Sequence, residues 1–156
     1  MKKYPFIHLR TQSSYSLSES ALKIEKLVEL ANKNEMPALA LTDTNNLFGC
    51  LEFSIECSKK GIQPIIGTSI NLLDISYKQI PSQINLLVKN EEGYKNLLYL
   101  SSISHINQTK DIGIEIKDLI NNANGLVCYI GGKFNPLLFL KYHNKQSKNK
   151  KFVEQF

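Results

Sequence analysis

Short unbroken apolar runs alternate with amphipathic stretches of helical length along most of this chain. Ala38-Leu39-Ala40-Leu41 is one such run, with no alternation, the pattern of a parallel strand covered on both faces. Five small polar residues, Thr42 to Asn46, follow it. A helix is predicted from about Leu47 to Lys60, stopped by Gly61, and Pro64-Ile65-Ile66-Gly67 opens the next strand. Pro37 to Gly67 thus has the length and punctuation of one β-α-β unit. The polar residues at the carboxyl end of its first strand lie where α/β folds carry their chemistry.

The same reading extends in both directions. Phe6-Ile7-His8-Leu9 predicts a first strand, ending in a polar loop from Arg10 to Ser16. Ile24, Leu27, Val28 and Ala31 recur at helical spacing and predict a helix over Leu22 to Asn34. A third strand is expected over Ile65–Leu72, then a loop or ragged edge over Asp74–Ser82, where Pro81 opposes regular pairing. Ile84–Val88 is the fourth strand. Asn90 is placed to cap a helix with Glu91 and Glu92 at its positive end and Tyr94, Leu97, Leu98 and Ser101 on its inner face. A short helix over Ile116–Ala123 and a fifth strand, Gly125–Ile130, closed by Gly131-Gly132, complete the pattern. Pro136–Tyr142 and Phe152–Phe156 read as helical pieces. Such alternation implies a parallel sheet or barrel. No closing strand follows Phe156, so a fragment of a longer chain is expected.

Charge changes this picture little. Nineteen Lys and Arg stand against 14 Asp and Glu, for a net charge of +5 in 156 residues. Much of the excess lies in Lys141, Lys145, Lys148, Lys150 and Lys151. Such a tail can bind phosphate backbones, so a non-specific DNA-binding module is one reading. No aromatic-basic interleaving accompanies it, and a solvated helix face or fraying end accounts for it as well. No apolar run approaches the roughly 20 residues of a membrane span, and Met1-Lys2-Lys3-Tyr4-Pro5 lacks a signal-peptide core. Cys50, Cys57 and Cys128 form no CxxC pair and read as reduced core residues of a cytoplasmic protein. Ser13, Ser14 and Ser16 have no base spaced to activate them and read as a turn. Glu52, His105 and His143 read as surface residues.

Three separated stretches carry a resemblance. They are HLRTQSSYSL (His8–Leu17), MPALALTDTNNLFGCLEF with GIQPIIG (Met36–Gly67), and KNEEGYKNLLYLSS (Lys89–Ser102) followed by GLVCYIGG (Gly125–Gly132). In order and spacing they resemble the PHP (polymerase and histidinol phosphatase) domain at the amino terminus of bacterial DNA polymerase III alpha subunits. The resemblance implies a distorted seven-stranded (β/α) barrel, of which residues 1–156 would supply roughly the first five strands. Active PHP domains hold up to three metal ions at the strand ends, where clustered His, Asp, Glu and sometimes Cys activate water against a phosphodiester.

The family's ligand positions can be carried over one at a time. The two His of its first motif fall on Arg10 and Gln12, and the acidic position that follows falls on Glu19. In the family's T-D-H the Asp matches Asp43, and the His falls on Thr44. The Glu after the glycine of the third strand falls on Ser69, the His that opens the fourth strand on Gln83, and the Cys closing S-G-C on Gly132. Only Glu19 keeps a metal-binding group, and the guanidinium of Arg10 would repel a cation. The resemblance so read implies no metal, no cofactor and no catalytic residue in this segment. His8 and Asp43 are expected to be structural pocket residues, with Asp43 bonding the Thr42–Asn46 turn or pairing with Arg10. An Arg10–Glu19 pair is the other candidate replacement for the lost cation.

What the resemblance implies for the parent is a DNA-directed DNA polymerase with Mg²⁺ at its own distant site. This segment would brace it and dock a proofreading exonuclease subunit. The alternative is a metal-dependent phosphoesterase or 3'-5' exonuclease of the same superfamily.

Overall fold

A computed structural model of the chain describes residues 6–77, 80–106, 111–132 and 134–137, with the backbone alone at 75–77 and 80–81. Its elements in chain order are α1 (Ile24–Lys33), β1 (Ala38–Thr44), α2 (Cys50–Lys59), β2 (Gln63–Tyr77), β3 (Ile80–Val88), α3 (Glu91–Ile106), α4 (Ile116–Asn121) and β4 (Leu126–Tyr129). The strands form one sheet in the order β1-β2-β3-β4. Two compact units divide at Thr68 and Ser69, within β2. The expected helical pieces beyond Leu137, His143 and the Lys141–Lys151 tail lie outside the described residues. No described helix is long and apolar enough to cross a membrane.

In the first unit, α1 and α2 cover β1 in the order the apolar pattern requires. Ile24, Leu27, Val28 and Ala31 of α1 form one core with Leu39 and Leu41 of β1, Phe53 and Cys57 of α2, and Ile62. The predicted stripe of α1 is the buried one. Its apolar side chains stack at i, i+3, i+4 and i+7 on one face, where burial is worth roughly 1.5–3 kcal/mol for each large residue. α2 stops at Gly61, whose φ of +67° is the left-handed conformation that ends helices. Its start is three residues later than expected. Asn46 Oδ1 accepts the Phe48 N–H at 3.2 Å and the Leu47 carbonyl accepts the Cys50 N–H at 3.1 Å, so a turn precedes the helix. Pairing of β1 with β2 is parallel, since partners advance together, Gln63 N–H to the Pro37 carbonyl and the Thr68 hydroxyl to the Asp43 carbonyl.

The expected first strand at Phe6–Leu9 does not form. The His8 carbonyl accepts the Ala40 N–H and the Thr11 carbonyl accepts the Thr42 N–H, at 2.9 and 2.8 Å. Three residues on one side thus oppose two on the other, a mismatch that a regular ladder cannot absorb. The Thr11 hydroxyl adds to the irregularity by donating to the Ala40 carbonyl.

The second unit departs further from the expected parallel sheet. β3 and β4 pair antiparallel, from Asn85 opposite Tyr129 to Val88 opposite Leu126. β2 and β3 are neighbours with two residues between them, which a parallel crossover could not span. Most of the expected loop at Asp74–Ser82 is therefore strand, and the sheet is mixed. Ile70, Leu72, Ile84, Leu86, Leu97, Leu100, Ile114 and Leu119 supply the core.

α3 is capped as expected, with Asn90 Oδ1 accepting the Gly93 N–H at 2.9 Å. Its inner face is rotated from the expected one. Gly93, Leu97, Leu100 and Ser104 are buried, whereas Tyr94 and Leu98 are 39% and 42% exposed. The glycine sets this phase: a Cβ at Gly93 would lie 1.8 Å from the Gly125 carbonyl oxygen, so only a bare backbone fits the contact. α4 is a single short turn-and-a-half, held by a capping box between Glu115 and Asp118 and by Asp74, which accepts the Ile116 N–H at 3.1 Å.

Candidate functional site

The polar loop from Arg10 to Ser20 folds over the carboxyl end of β1 and is bound there by one buried carboxylate. Asp43, 1% exposed, accepts the Ser13 N–H at 2.7 Å and the Ser16 hydroxyl at 2.6 Å on Oδ1. Its Oδ2 accepts the Ser13 hydroxyl at 2.7 Å. Ser16 Oγ in turn accepts the Thr44 N–H at 3.1 Å, and Asn46 donates to the Tyr15 carbonyl at 3.1 Å. The serines that read as a plain turn are thus the partners of Asp43. Their signal in the sequence was the density of short hydroxyls opposite a lone strand-end carboxylate.

A second group lies beside the first. Gln12 Nε2 donates to Glu19 Oε2 at 2.7 Å and to Thr44 Oγ1 at 2.8 Å, and the Thr44 hydroxyl donates to Glu19 Oε2 at 2.6 Å. Each member answers another. This corrects the expected ion pairs: the contacts of Asp43 and Glu19 go to hydroxyl and amide groups, not to Arg10. Arg10 is exposed, and with His8 it lines a half-open groove of about 460 Å³ floored by Leu27, Leu30, Met36 and Leu39. His8 is likewise not buried. Its ring meets Phe6 edge-on, with centroids 4.7 Å apart and planes at 81°.

Among the groups that coordinate divalent cations, this cluster offers one carboxylate, Glu19, and no imidazole or thiolate. Coordination needs several lone pairs converging on one point, and both bonds to Glu19 Oε2 already come from N–H and O–H donors. Among the described residues no three His, Cys, Asp or Glu side chains gather. Burial, with some help from the Asp43 charge, pushes the Cys50 thiol up to about 12. Near the loop, the Tyr15 hydroxyl donates to Glu52 at 3.1 Å, and that bond raises the tyrosine above its ordinary value.

The remaining positions carried over from the family lie in the second unit. Ser69, fully buried on β2, donates to Asn85 Oδ1 at 2.7 Å, and Asn85 Nδ2 reaches the Tyr129 carbonyl at 3.5 Å. Gln83 N–H bonds the Phe134 carbonyl at 2.8 Å, and its side chain donates to Asn71 Oδ1 at 3.4 Å. Gly132 is exposed in a bend with φ +76°. Asn85 was not among the expected site residues. Its signal was a single amide inside the apolar run Ile84-Asn85-Leu86.

Comparison with known proteins follows the same residues. The family described as "PHP domain" matches residues 8–156. DNA polymerase III subunit alpha of Rickettsia conorii is 53% identical over 133 residues, 81% of this chain and 11% of the relative. The same subunit of Rickettsia bellii is 45% identical over 154 residues, 95% of this chain and 13% of the relative. The chain therefore spans about an eighth of the curated relatives it matches. Among solved structures, an amidohydrolase from Chromobacterium violaceum with bound sulfate and no metal is 21% identical, with a TM-score of 0.47 over 63% of this chain and 32% of the other. With its α/β architecture, its loop bound at the end of β1 and a match running from His8 to the last residue, this chain belongs to the PHP domain family and is homologous to part of the bacterial DNA polymerase III alpha subunit.

Proposed function

We propose that this chain is the PHP region of a replicative DNA polymerase III alpha subunit and serves it as scaffold and docking module, its metal site decayed. The observation that carries this reading is the closure of the Gln12–Glu19–Thr44 group, in which Glu19 Oε2 accepts from an amide and a hydroxyl donor. Arg10, Ser69, Gln83 and Gly132 supply no imidazole, thiolate or carboxylate at the positions carried over from the family. Calorimetric titration with Mn²⁺ or Zn²⁺ tests it. No stoichiometric binding is expected, and a site of micromolar affinity would return the chain to the phosphoesterase or 3'-5' exonuclease reading.

On this reading the whole protein is a DNA-directed DNA polymerase, a nucleotidyltransferase using Mg²⁺ at a site beyond residue 156. Residues 1–156 are the first part of a distorted (β/α)7 barrel that the longer chain completes. A proofreading exonuclease subunit is the expected partner, the rest of the alpha subunit holds the DNA, and the compartment is the cytoplasm. The three free cysteines suit that compartment. Pull-down of the cognate exonuclease subunit by the complete PHP domain checks the docking role; no capture counts against it.

A further inference from the structure

Asn124 is the sole asparagine of this chain that a glycine follows. Asn124 and Gly125 are the middle pair of a turn closed by the Leu126 N–H and the Ala123 carbonyl at 3.0 Å, and Gly125 supplies its φ of +73°. Asn124 is exposed. Among the described residues, neither its side-chain amide nor the Gly125 N–H has a hydrogen-bond partner. An electrophilic amide carbon and a backbone nitrogen thus stand next to each other, with no side chain on Gly125 to hinder their approach.

We propose that Asn124 is a site of spontaneous deamidation and that its isoaspartyl product loosens the second unit. Asparagine is among the chemically labile residues. The Gly125 nitrogen gives its proton to hydroxide and bonds to the side-chain Cγ of Asn124. The Cγ–N bond of the side chain breaks, and ammonia leaves with a proton from water, which restores the hydroxide. Water then opens the cyclic imide. Opening at the side-chain carbonyl leaves aspartate, and opening at the backbone carbonyl leaves isoaspartate, with the chain routed through the side chain. The sum is one water consumed and one ammonia released, with no oxidation or reduction.

Three elements meet at this turn. The Asn124 carbonyl accepts from Asn96 Nδ2 of α3 at 2.8 Å, and the Gly125 carbonyl accepts from the Lys89 N–H after β3 at 2.9 Å. A Cβ at Gly125 would lie 2.4 Å from the Gly93 nitrogen, so the two backbones are in close contact. Leu126, next in the chain, sets the register of β4 opposite Val88. An isoaspartyl link adds a methylene to the backbone here and turns the Asn124 carbonyl into a free carboxylate. The contacts of α3, β3 and β4 with the turn then no longer fit together.

Incubation of the folded chain at pH 7 and at pH 9, followed by peptide mapping for isoaspartate, tests this. Isoaspartate is expected at residue 124 ahead of every other asparagine. Its rate of formation is expected to rise about tenfold per pH unit, as the deprotonated fraction of a weak acid far below its pKa does. Asn124→Gln makes the ring one atom larger and is expected to stop the modification while leaving the melting temperature of fresh protein unchanged. With all melts run at pH 7, aged protein enriched in isoaspartate is expected to melt below fresh protein, and aged Asn124→Gln is not. An intact Asn124 while other asparagines react, or modification that needs urea, overturns the site. Equal melting of fresh and converted protein overturns the loosening.

Discussion

The Thr44 hydroxyl donates to Glu19 Oε2 at 2.6 Å, closing a group of uncharged donors around the one carboxylate that the family's ligand pattern leaves in place. Glu19 is exposed, however, and Asp43 is not. Burial decides which of the two holds the loop. Glu19→Ala removes bonds that water can replace and is expected to cost no more than about 1 kcal/mol. Asp43→Ala strands three donors in a dry site, the Ser13 N–H and the Ser13 and Ser16 hydroxyls, and is expected to cost about 3 kcal/mol or more. Urea unfolding of both variants checks the order. A loss under 1 kcal/mol for Asp43→Ala would show that the loop is held elsewhere.

That ranking also shows where the sequence was legible. The α1 stripe, the buried β1 run, the Gly61 stop and the Asn90 cap depend on neighbours within one or two turns, and local pattern reports local forces. Asp43 is expected from local pattern to bond the Thr42–Asn46 turn or Arg10, whereas its carboxylate bonds Ser13 and Ser16, about thirty residues away, and no spacing rule joins them. The inner face of α3 departs from the apolar pattern for a related reason. Tyr94 and Leu98 are more apolar than Gly93, yet the close approach of Gly125 from a different element outweighs side-chain hydrophobicity. Only the stretch Asp74–Ser82 reads as a loop or ragged edge, because Pro81 opposes regular pairing, whereas β2 runs to Tyr77 and β3 starts at Ile80, which local pattern does not report.

Gly93→Ala follows from that approach. The added methyl would meet the Gly125 carbonyl oxygen at 1.8 Å, and backbone on both sides must move to relieve it. Gly125 has φ +73°, so it cannot be replaced cheaply to make room. Overpacking of this kind typically costs 1–3 kcal/mol, and backbone rather than a flexible side chain stands in the way, so about 3 kcal/mol is expected. Ala in place of the exposed Tyr94 is expected to cost under about 1 kcal/mol. Thermal melts of the pair check the rotated face.

The thiols give a pH dependence with a definite sign. Burial pushes Cys50 up to about 12 and Cys57 and Cys128 to about 11, from an ordinary value of 9.0. In the unfolded chain they ionise near pH 9, while in the folded chain they keep their protons. The folded state then binds more protons, so the stability they contribute is fully present below about pH 9 and is lost as pH rises toward 11–12. Urea midpoints at pH 8 and pH 10 should show the decline, and Cys50→Ala should flatten it. A thiol reagent at pH 8 is expected to modify the native chain far more slowly than the unfolded one.

Ser69 and Asn85 offer a sharp test of what a buried polar pair contributes, because both are buried and each is the other's partner. Asn85→Leu alone leaves the Ser69 hydroxyl without its acceptor, at an expected cost of about 1–3 kcal/mol. Ser69→Ala alone leaves Asn85 Oδ1 without its donor and should cost a similar amount. The double variant removes both polar groups and puts apolar atoms in a sheet already lined by Ile70, Ile84 and Leu86. Replacing both partners of a buried polar pair can be nearly neutral, so the double variant is expected to be more stable than either single one. Were the pair still needed to hold a ligand, the double variant would fold equally well and lose that binding. Equal or additive losses in stability would instead show that Asn85 is held chiefly by the Tyr129 carbonyl and not by Ser69.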